Sequence, residues 1–318
     1  MATQWSVRRY SAGDAAVWDV LVRASRNGTF LFERPYMDYH SDRFVDHSLI
    51  GMADGKPVAL LPANEEGSML RSHGGLTYGG WVLPHHKVNA TEMGLLMGAA
   101  IEYCKSVGFT ALDYKPVPYI YASEPSQEDL YWLWRHGAVT TEMNLSTAID
   151  LDCNPGFNTA QRRKLRKGEA NGAGYVELTD DAGIHAFHSM LAHCLEERHA
   201  TQPVHTATEL CLLHSRFRQN IRFHGMLHGG KLAAGVCSYD TGRVRHLQYI
   251  ATTAEGRALD MLTPLMARII AEVPEGTRYV DFGISNEQHG LVLNSGLSRQ
   301  KWELGGSGVA YQRLLLEF

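Results

Sequence analysis

Between residues 229 and 283 the apolar pattern switches from the period of a strand to that of a helix and back. Residues 232–239 are an apolar run of strand length, Asp240, Thr241 and Gly242 supply a tight turn, and residues 244–250 predict a second, antiparallel strand. Past Glu255, Gly256 and Arg257 the spacing lengthens. Leu259, Leu262, Leu265, Met266 and Ile269 fall on one helical stripe, which Pro274 and Gly276 stop. Residues 277–282 return as a strand that Gly283 ends. Hairpin, helix, strand in this order is a compact α/β unit.

The first half of the chain repeats the order. DGKPVA at 54–59 parallels GGKLAA at 229–234, a helical run at 91–107 stops at Gly108, and ALDY at 111–114 parallels YVDF at 279–282. Two similar units predict a duplicated α/β (α+β) fold, each unit a mixed, mainly antiparallel sheet flanked by helices. The turn cluster at 152–156 places the boundary, with domains 1–152 and 153–318. Further strands are expected at 5–10, 48–52, 58–63, 142–151, 175–178, 221–228 and 310–318. Helices are expected at 15–24, 128–134, 159–168, 181–200 and 207–217.

The 318 residues are 44% hydrophobic and 20% charged, as in soluble globular proteins, and no apolar run is long enough to span a membrane. A formal net charge of −4 argues against DNA as a partner and leaves RNA only local contacts. The N-terminus has no apolar core of a signal peptide, and five scattered cysteines without CxxC pairs read as thiols of a reducing cytoplasm.

Several stretches carry candidate chemistry, each beside a plainer reading. Asp38, Asp42 and Asp46 lie four apart, as on a solvated acidic face or a carboxylate metal site. His185, His188, His193 and His199 share a helix but lack the further ligands of a closed zinc site, so no metal is expected. Four glycines between 74 and 80 let backbone approach an anion or glycan, or simply shape a bend. Five cations occupy positions 162–167. There Arg162 and Arg166 share a helical face that would clamp a phosphate, or the helix is merely solvated.

For proton transfer the candidates are His246, mid-strand with a titration range suited to neutral pH, and Asp281, at the end of the neighbouring strand. Either is equally a hydrogen-bonded core residue. Tyr249 would donate a proton to a leaving group or cap its strand. Lys301 would contact phosphate or an oxyanion, or lie on the surface. His73, Tyr78, Lys115 and His205 are candidates for substrate binding, with Ser285 and Asn286, which stand just past a strand C-terminus where α/β folds commonly bind ligands.

Together QRRKLRKGEANG, HLQYIATTAEGRALDML, YVDFGISNE and LNSGLSRQKWELGG resemble the FemAB-like branch of the GNAT acyltransferase superfamily, as do TFLFERPYMDYHSDRF and SHGGLTYGG in the first half. The resemblance covers nearly the whole chain. It implies two tandem GNAT folds and direct attack of an amine or hydroxyl on an activated acyl carbonyl. The donor it implies is acyl-CoA or aminoacyl-tRNA. The acceptor it suggests is a cell-envelope precursor such as a peptidoglycan unit, a sugar or another glycan. The superfamily's CoA loop reads (Gln/Arg)-x-x-Gly-x-(Gly/Ala), and its amides hold pyrophosphate. Its counterparts here are Thr253, Gly256, Arg257 and Ala258, without the leading cation or amide, which weakens the case for CoA and leaves a tRNA-carried donor open. The rival class is a non-catalytic module that recognises a glycan or peptide on a degenerate form of the fold.

Overall fold

A computed structural model describes residues 3–154, 156–199 and 201–318. In chain order it contains β1 (Trp5–Arg9), α1 (Ala15–Arg23), α2 (Arg34–Met37), β2 (Leu49–Ala53), β3 (Lys56–Leu61), β4 (Asn64–Glu66), β5 (Met69–Arg71), α3 (Ala90–Ser106), β6 (Ala111–Tyr114), α4 (Glu128–Arg135) and β7 (Val139–Asp150). There follow α5 (Thr159–Ala170), β8 (Gly174–Glu177), α6 (Asp181–His199), α7 (Ala207–Arg216), β9 (Ile221–His228), β10 (Lys231–Asp240), β11 (Val244–Thr252), α8 (Ala254–Ala258), α9 (Leu262–Ala271) and β12 (Tyr279–Ile284). The chain closes with the two-residue strands β13 (Asn286–Glu287) and β14 (Val292–Leu293), then α10 (Ser295–Glu303) and β15 (Ser307–Glu317). The helix expected at 181–200 ends at His199, and Ala200 lies outside the described residues, as does Pro155 of the turn cluster. Among the described residues no helix is long and apolar enough to cross a membrane.

Two compact units result. One comprises Met1–Leu145, Asn286–Val292 and Ala310–Phe318, and the other Ser146–Ser285 and Leu293–Val309. Where the sequence suggests one contiguous cut at 152/153, the packing draws a discontiguous one, because C-terminal segments pair with strands of the first unit.

In the first unit β1, β2 and β3 form an antiparallel meander. Its larger sheet runs β4, β5, β6, β15 and the first half of β7, with β5 and β6 parallel. α3 packs on the sheets because Met93, Leu96, Met97, Ala100, Ile101 and Cys104 recur at helical spacing, and a capping box between Asn89 and Glu92 starts it. The acidic residues of 38–46 do not form a solvated face. Asp38 and Asp46 both pair with the guanidinium of Arg34, which is buried over the Tyr10 ring. That cation, and not a metal, is what two of the three carboxylates serve.

In the second unit the sheet runs from the second half of β7 through β12, β11, β10 and β9 to β8. The core joins Val236, Leu247, Val280 and Phe282 of the sheet to Leu265, Met266 and Ile269 of α9. The helical stripe that begins near Gly256 is broken in two. Asp260 adopts a positive φ of 56° between α8 and α9, and Met261 N–H closes back on Gly256 O. Arg245, 1% exposed, clamps the base of this region. Its guanidinium meets Asp240 with two bonds of 2.7 and 2.8 Å and donates to the carbonyls of Ile269 and Glu272 at the end of α9.

Each unit also buries a neutral histidine. His73 stacks on His40, and burial pulls its pKa down to about 3. His224, between Tyr175 Oη and Ser238 Oγ, is likewise pulled to about 3, first by burial and then by Arg245. Both folded values lie below the ordinary value near 6.5, so the unfolded chain takes these protons first. Their stability contribution is complete above about pH 6.5 and is lost as the pH falls from there toward 3. Urea unfolding at pH 7 and pH 5 should show each unit weakened by about 2 kcal/mol per histidine at the lower pH, and His73→Gln should flatten the first unit's share of that slope.

Candidate active site

β11 and β12 pair in parallel only from Val244 opposite Tyr279 to His246 opposite Asp281. Beyond that point they separate. β11 takes an extra residue at Gln248, since Cys237 pairs with Tyr249 and the adjacent Ser238 with Leu247. β12 shifts register against β7 between Asp281 and Ile284, with Gly283 in the left-handed region. A cavity of about 430 Å³ is lined by Ile250 and Thr252 past the fork on β11, by Phe282 on β12, and by Lys164 of α5, Cys194 of α6 and Lys301 of α10.

At the fork stands a hydrogen-bonded pair. Asp281 is fully buried, and its Oδ2 lies 2.8 Å from His246 Nδ1. With the carboxylate ionised, Nδ1 is the donor of this bond. The other oxygen, Oδ1, accepts from Ser146 Oγ at 2.5 Å and from Gly283 N at 3.1 Å. Lys301 links the pair to the cavity. Its Nζ donates to the carbonyls of Gly283 and Ile284 at 2.8 and 2.7 Å, and the His246 ring lies against Gly283. Burial lowers the Lys301 pKa to about 8, with Asp281 opposing the shift.

The first unit carries the same arrangement with different residues. There the parallel pair β5/β6 ends at Arg71 opposite Asp113, as β11/β12 ends at His246 opposite Asp281. On the next strand Asp113 faces Leu315, and Arg313, two residues earlier, reaches its carboxylate at 2.5 and 2.7 Å. In the second unit Asp281 faces Ala148, and Ser146, two residues earlier, does the same. Arg71 reaches Asp113 at 3.1 Å. Two guanidiniums that never deprotonate hold Asp113, whereas a titratable imidazole and a hydroxyl hold Asp281. Only the second set can move a proton.

The other expected residues fall into three groups. Tyr249 and His205 meet each other, with His205 Nδ1 2.6 Å from the phenol oxygen, and burial raises the Tyr249 pKa to about 12. Like His246 and Asp281, neither is among the residues that line the cavity. Ser285 is buried beside the Lys301 anchor points, and its carbonyl accepts from Asn294 N. Asn286 braces backbone, accepting from Leu145 N at 2.6 Å.

His73 and Tyr78 are buried in the first unit, and Lys115 is half-buried there. Tyr78 donates to Thr29, and Lys115, its pKa lowered to about 8 by burial, donates to Leu76 O. The glycines of 74–80 serve packing. A Cβ on Gly79 would stand 2.1 Å from Ser72 O, and one on Gly75 2.4 Å from the His40 ring.

On α5, Arg162 and Arg166 are exposed, and Arg162 turns back onto Phe157 O. The face of α5 toward the cavity carries Gln161 and Lys164 instead, and buried Gly168 continues that spacing. The stripe 161, 164, 168 was the legible signal, masked by the surrounding cations.

At the loop matching the CoA motif, Thr253 caps α8. Its Oγ1 accepts from Gly256 N and its carbonyl from Arg257 N. The Arg257 side chain donates to Thr252 O, and Ala258 O accepts from Lys167. Gly256 is there because α8 lies on β10: a Cβ would stand 2.2 Å from Ala233 O.

A mixed sheet opened by a fork recurs in the two units, and one fork carries the hydrogen-bonded His246–Asp281 pair. Residues 157–289 match the family described as acetyltransferase (GNAT) domain. The crystal structure of FemX is similar over 100% of this chain and 98% of its own, at 13% identity and a TM-score of 0.69. L-PGS from Bacillus licheniformis is similar over 82% of this chain and 81% of its own, at 12% identity and a TM-score of 0.57. A tandem GNAT protein from the clavulanic acid biosynthesis pathway is similar over 99% and 98%, at 14% identity and a TM-score of 0.52. No curated protein matches. The chain therefore has the tandem GNAT fold, and its residues 157–289 are similar to the GNAT acetyltransferase family.

Gly256→Ala tests the packing role of the loop. Forcing a methyl against the Ala233 carbonyl should lower unfolding stability by about 1–3 kcal/mol in the absence of any donor. A urea midpoint equal to that of the unaltered chain would show that the glycine is there for a ligand.

Proposed function

We propose that the second unit transfers an acyl or aminoacyl group from an activated donor to an amine or hydroxyl of a cell-envelope precursor or sugar. The observation that carries this reading is the cavity at the β11/β12 fork, joined through Lys301 to the His246–Asp281 pair. The donor arm occupies the cavity with its carbonyl toward Lys301. His246 Nε2 takes the proton of the attacking amine as the new C–N bond forms. Lys301 stabilises the oxyanion. The C–S or C–O bond to the donor then breaks, and the leaving group receives the proton from His246.

The loop at 253–258 bears on the donor. With the amides of Gly256 and Arg257 engaged by Thr253, and with Glu255 and Asp260 adding negative charge nearby, it is a poor seat for pyrophosphate. Lys164 on the cavity wall is a better phosphate partner. This favours aminoacyl-tRNA over acyl-CoA as the donor, and either donor places the reaction in the cytoplasm. FemX and L-PGS share the fold, which agrees with an envelope acceptor without naming it.

The test is turnover with acetyl-CoA and with charged tRNA against a panel of amino sugars and peptidoglycan precursors. His246→Ala should lower kcat by about 10²- to 10⁴-fold, and full turnover in that variant would overturn the base assignment.

Lys301 adds a pH signature. Its ammonium is complete below about pH 8 and is lost as the pH rises through that value. Turnover should therefore fall above about pH 8, and Lys301→Arg, which stays charged, should remove that alkaline limb from whatever activity it retains.

A further inference from the structure

Asp281 is held by an imidazole, a hydroxyl and a backbone amide. We infer that Ser146 is a positioning residue for the His246–Asp281 pair, a role that rests on the proposed base function of His246.

Ser146 is fully buried on the second half of β7. Its hydroxyl donates to Asp281 Oδ1 at 2.5 Å. Gly283 N donates to the same oxygen, which leaves Oδ2 for His246 Nδ1 at 2.8 Å. The final torsion of an aspartate is broad, so the carboxylate plane is set by its partners and not by its own rotamer wells. Two donors on Oδ1 fix that plane, and the fixed plane keeps the His246 proton on Nδ1 and the lone pair on Nε2.

The duplicated unit shows why the donor is a hydroxyl. Ser146 and Arg313 occupy the same register, two residues before the position opposite the acid. Arg313 anchors Asp113 with a permanent positive charge. A permanent charge at position 146 would stand within a few ångströms of His246 and oppose its protonation. A neutral hydroxyl fixes the carboxylate without that penalty. The serine at this register therefore distinguishes a fork that handles protons from one that is a structural ion pair.

The experiment is ¹⁵N NMR of the histidine rings in the full chain with no donor added, the His246 signals being identified by their loss in His246→Ala. In the unaltered chain His246 is the Nδ1–H tautomer. In Ser146→Ala the tautomer ratio should move toward Nε2–H by about tenfold, the loss of one charge-assisted hydrogen bond. Ser146→Thr, which keeps the hydroxyl, should restore the original ratio.

A His246 spectrum unchanged in Ser146→Ala would overturn the inference, and so would a Thr variant that shifts as far as Ala. If Ser146→Ala does not fold, Ser146→Cys, close in size and a weak donor, carries the same comparison. Turnover separates the two readings: full activity in His246→Ala removes the base, whereas a silent Ser146→Ala spectrum with inactive His246→Ala removes only the positioning role.

Discussion

A carboxylate sealed away from water at the end of a parallel strand pair must find partners, because an unpaired buried charge costs several kcal/mol. That constraint recurs at Asp113 and Asp281, one per unit, at the same register of the same strand arrangement. The two units meet it differently. Arg71 and Arg313 neutralise Asp113. His246 and Ser146 hold Asp281 with a base and a hydroxyl. One solution uses two permanent charges, and the other an imidazole and a hydroxyl.

Opening the sheet at that point has structural requirements of its own. β11 and β12 separate because one carries an extra residue and the other turns at Gly283. Strand ends freed in this way are held by groups outside the ladder. Lys301 takes the carbonyls of Gly283 and Ile284, and Arg245 ties the hairpin to the end of α9. The first unit fills the corresponding region with its own chain. Lys115 N donates to Ser72 Oγ, Gly79 N donates to Lys115 O, and the glycines allow that close approach.

Burial sets the electrostatics of both units. Lys301 and Lys115 are drawn down to about 8 and His73 and His224 to about 3, in each case chiefly by loss of water. The common cause does not give a common role. Lys301 faces a cavity, whereas His73 packs on another ring and His224 sits between a tyrosine and a serine. A shifted group marks a site only where space for a ligand adjoins it.

The sequence by itself determined the hairpin, helix and strand of each unit, because hydrophobic period and turn residues act within a few positions of one another. It also determined the likeness of ALDY to YVDF, and with it the paired acids, and it singled out His246, Asp281 and Lys301. It did not separate Ser146 from any other strand serine, or Lys164 from the four cations around it, since what distinguishes them is the neighbour on another strand or helix. Nor did it show that Gly256 and the glycines of 74–80 accommodate backbone and rings, or that Asp38 and Asp46 answer a buried arginine. Those outcomes depend on which surfaces the fold brings within 3 Å, and only register and packing between distant segments decide that.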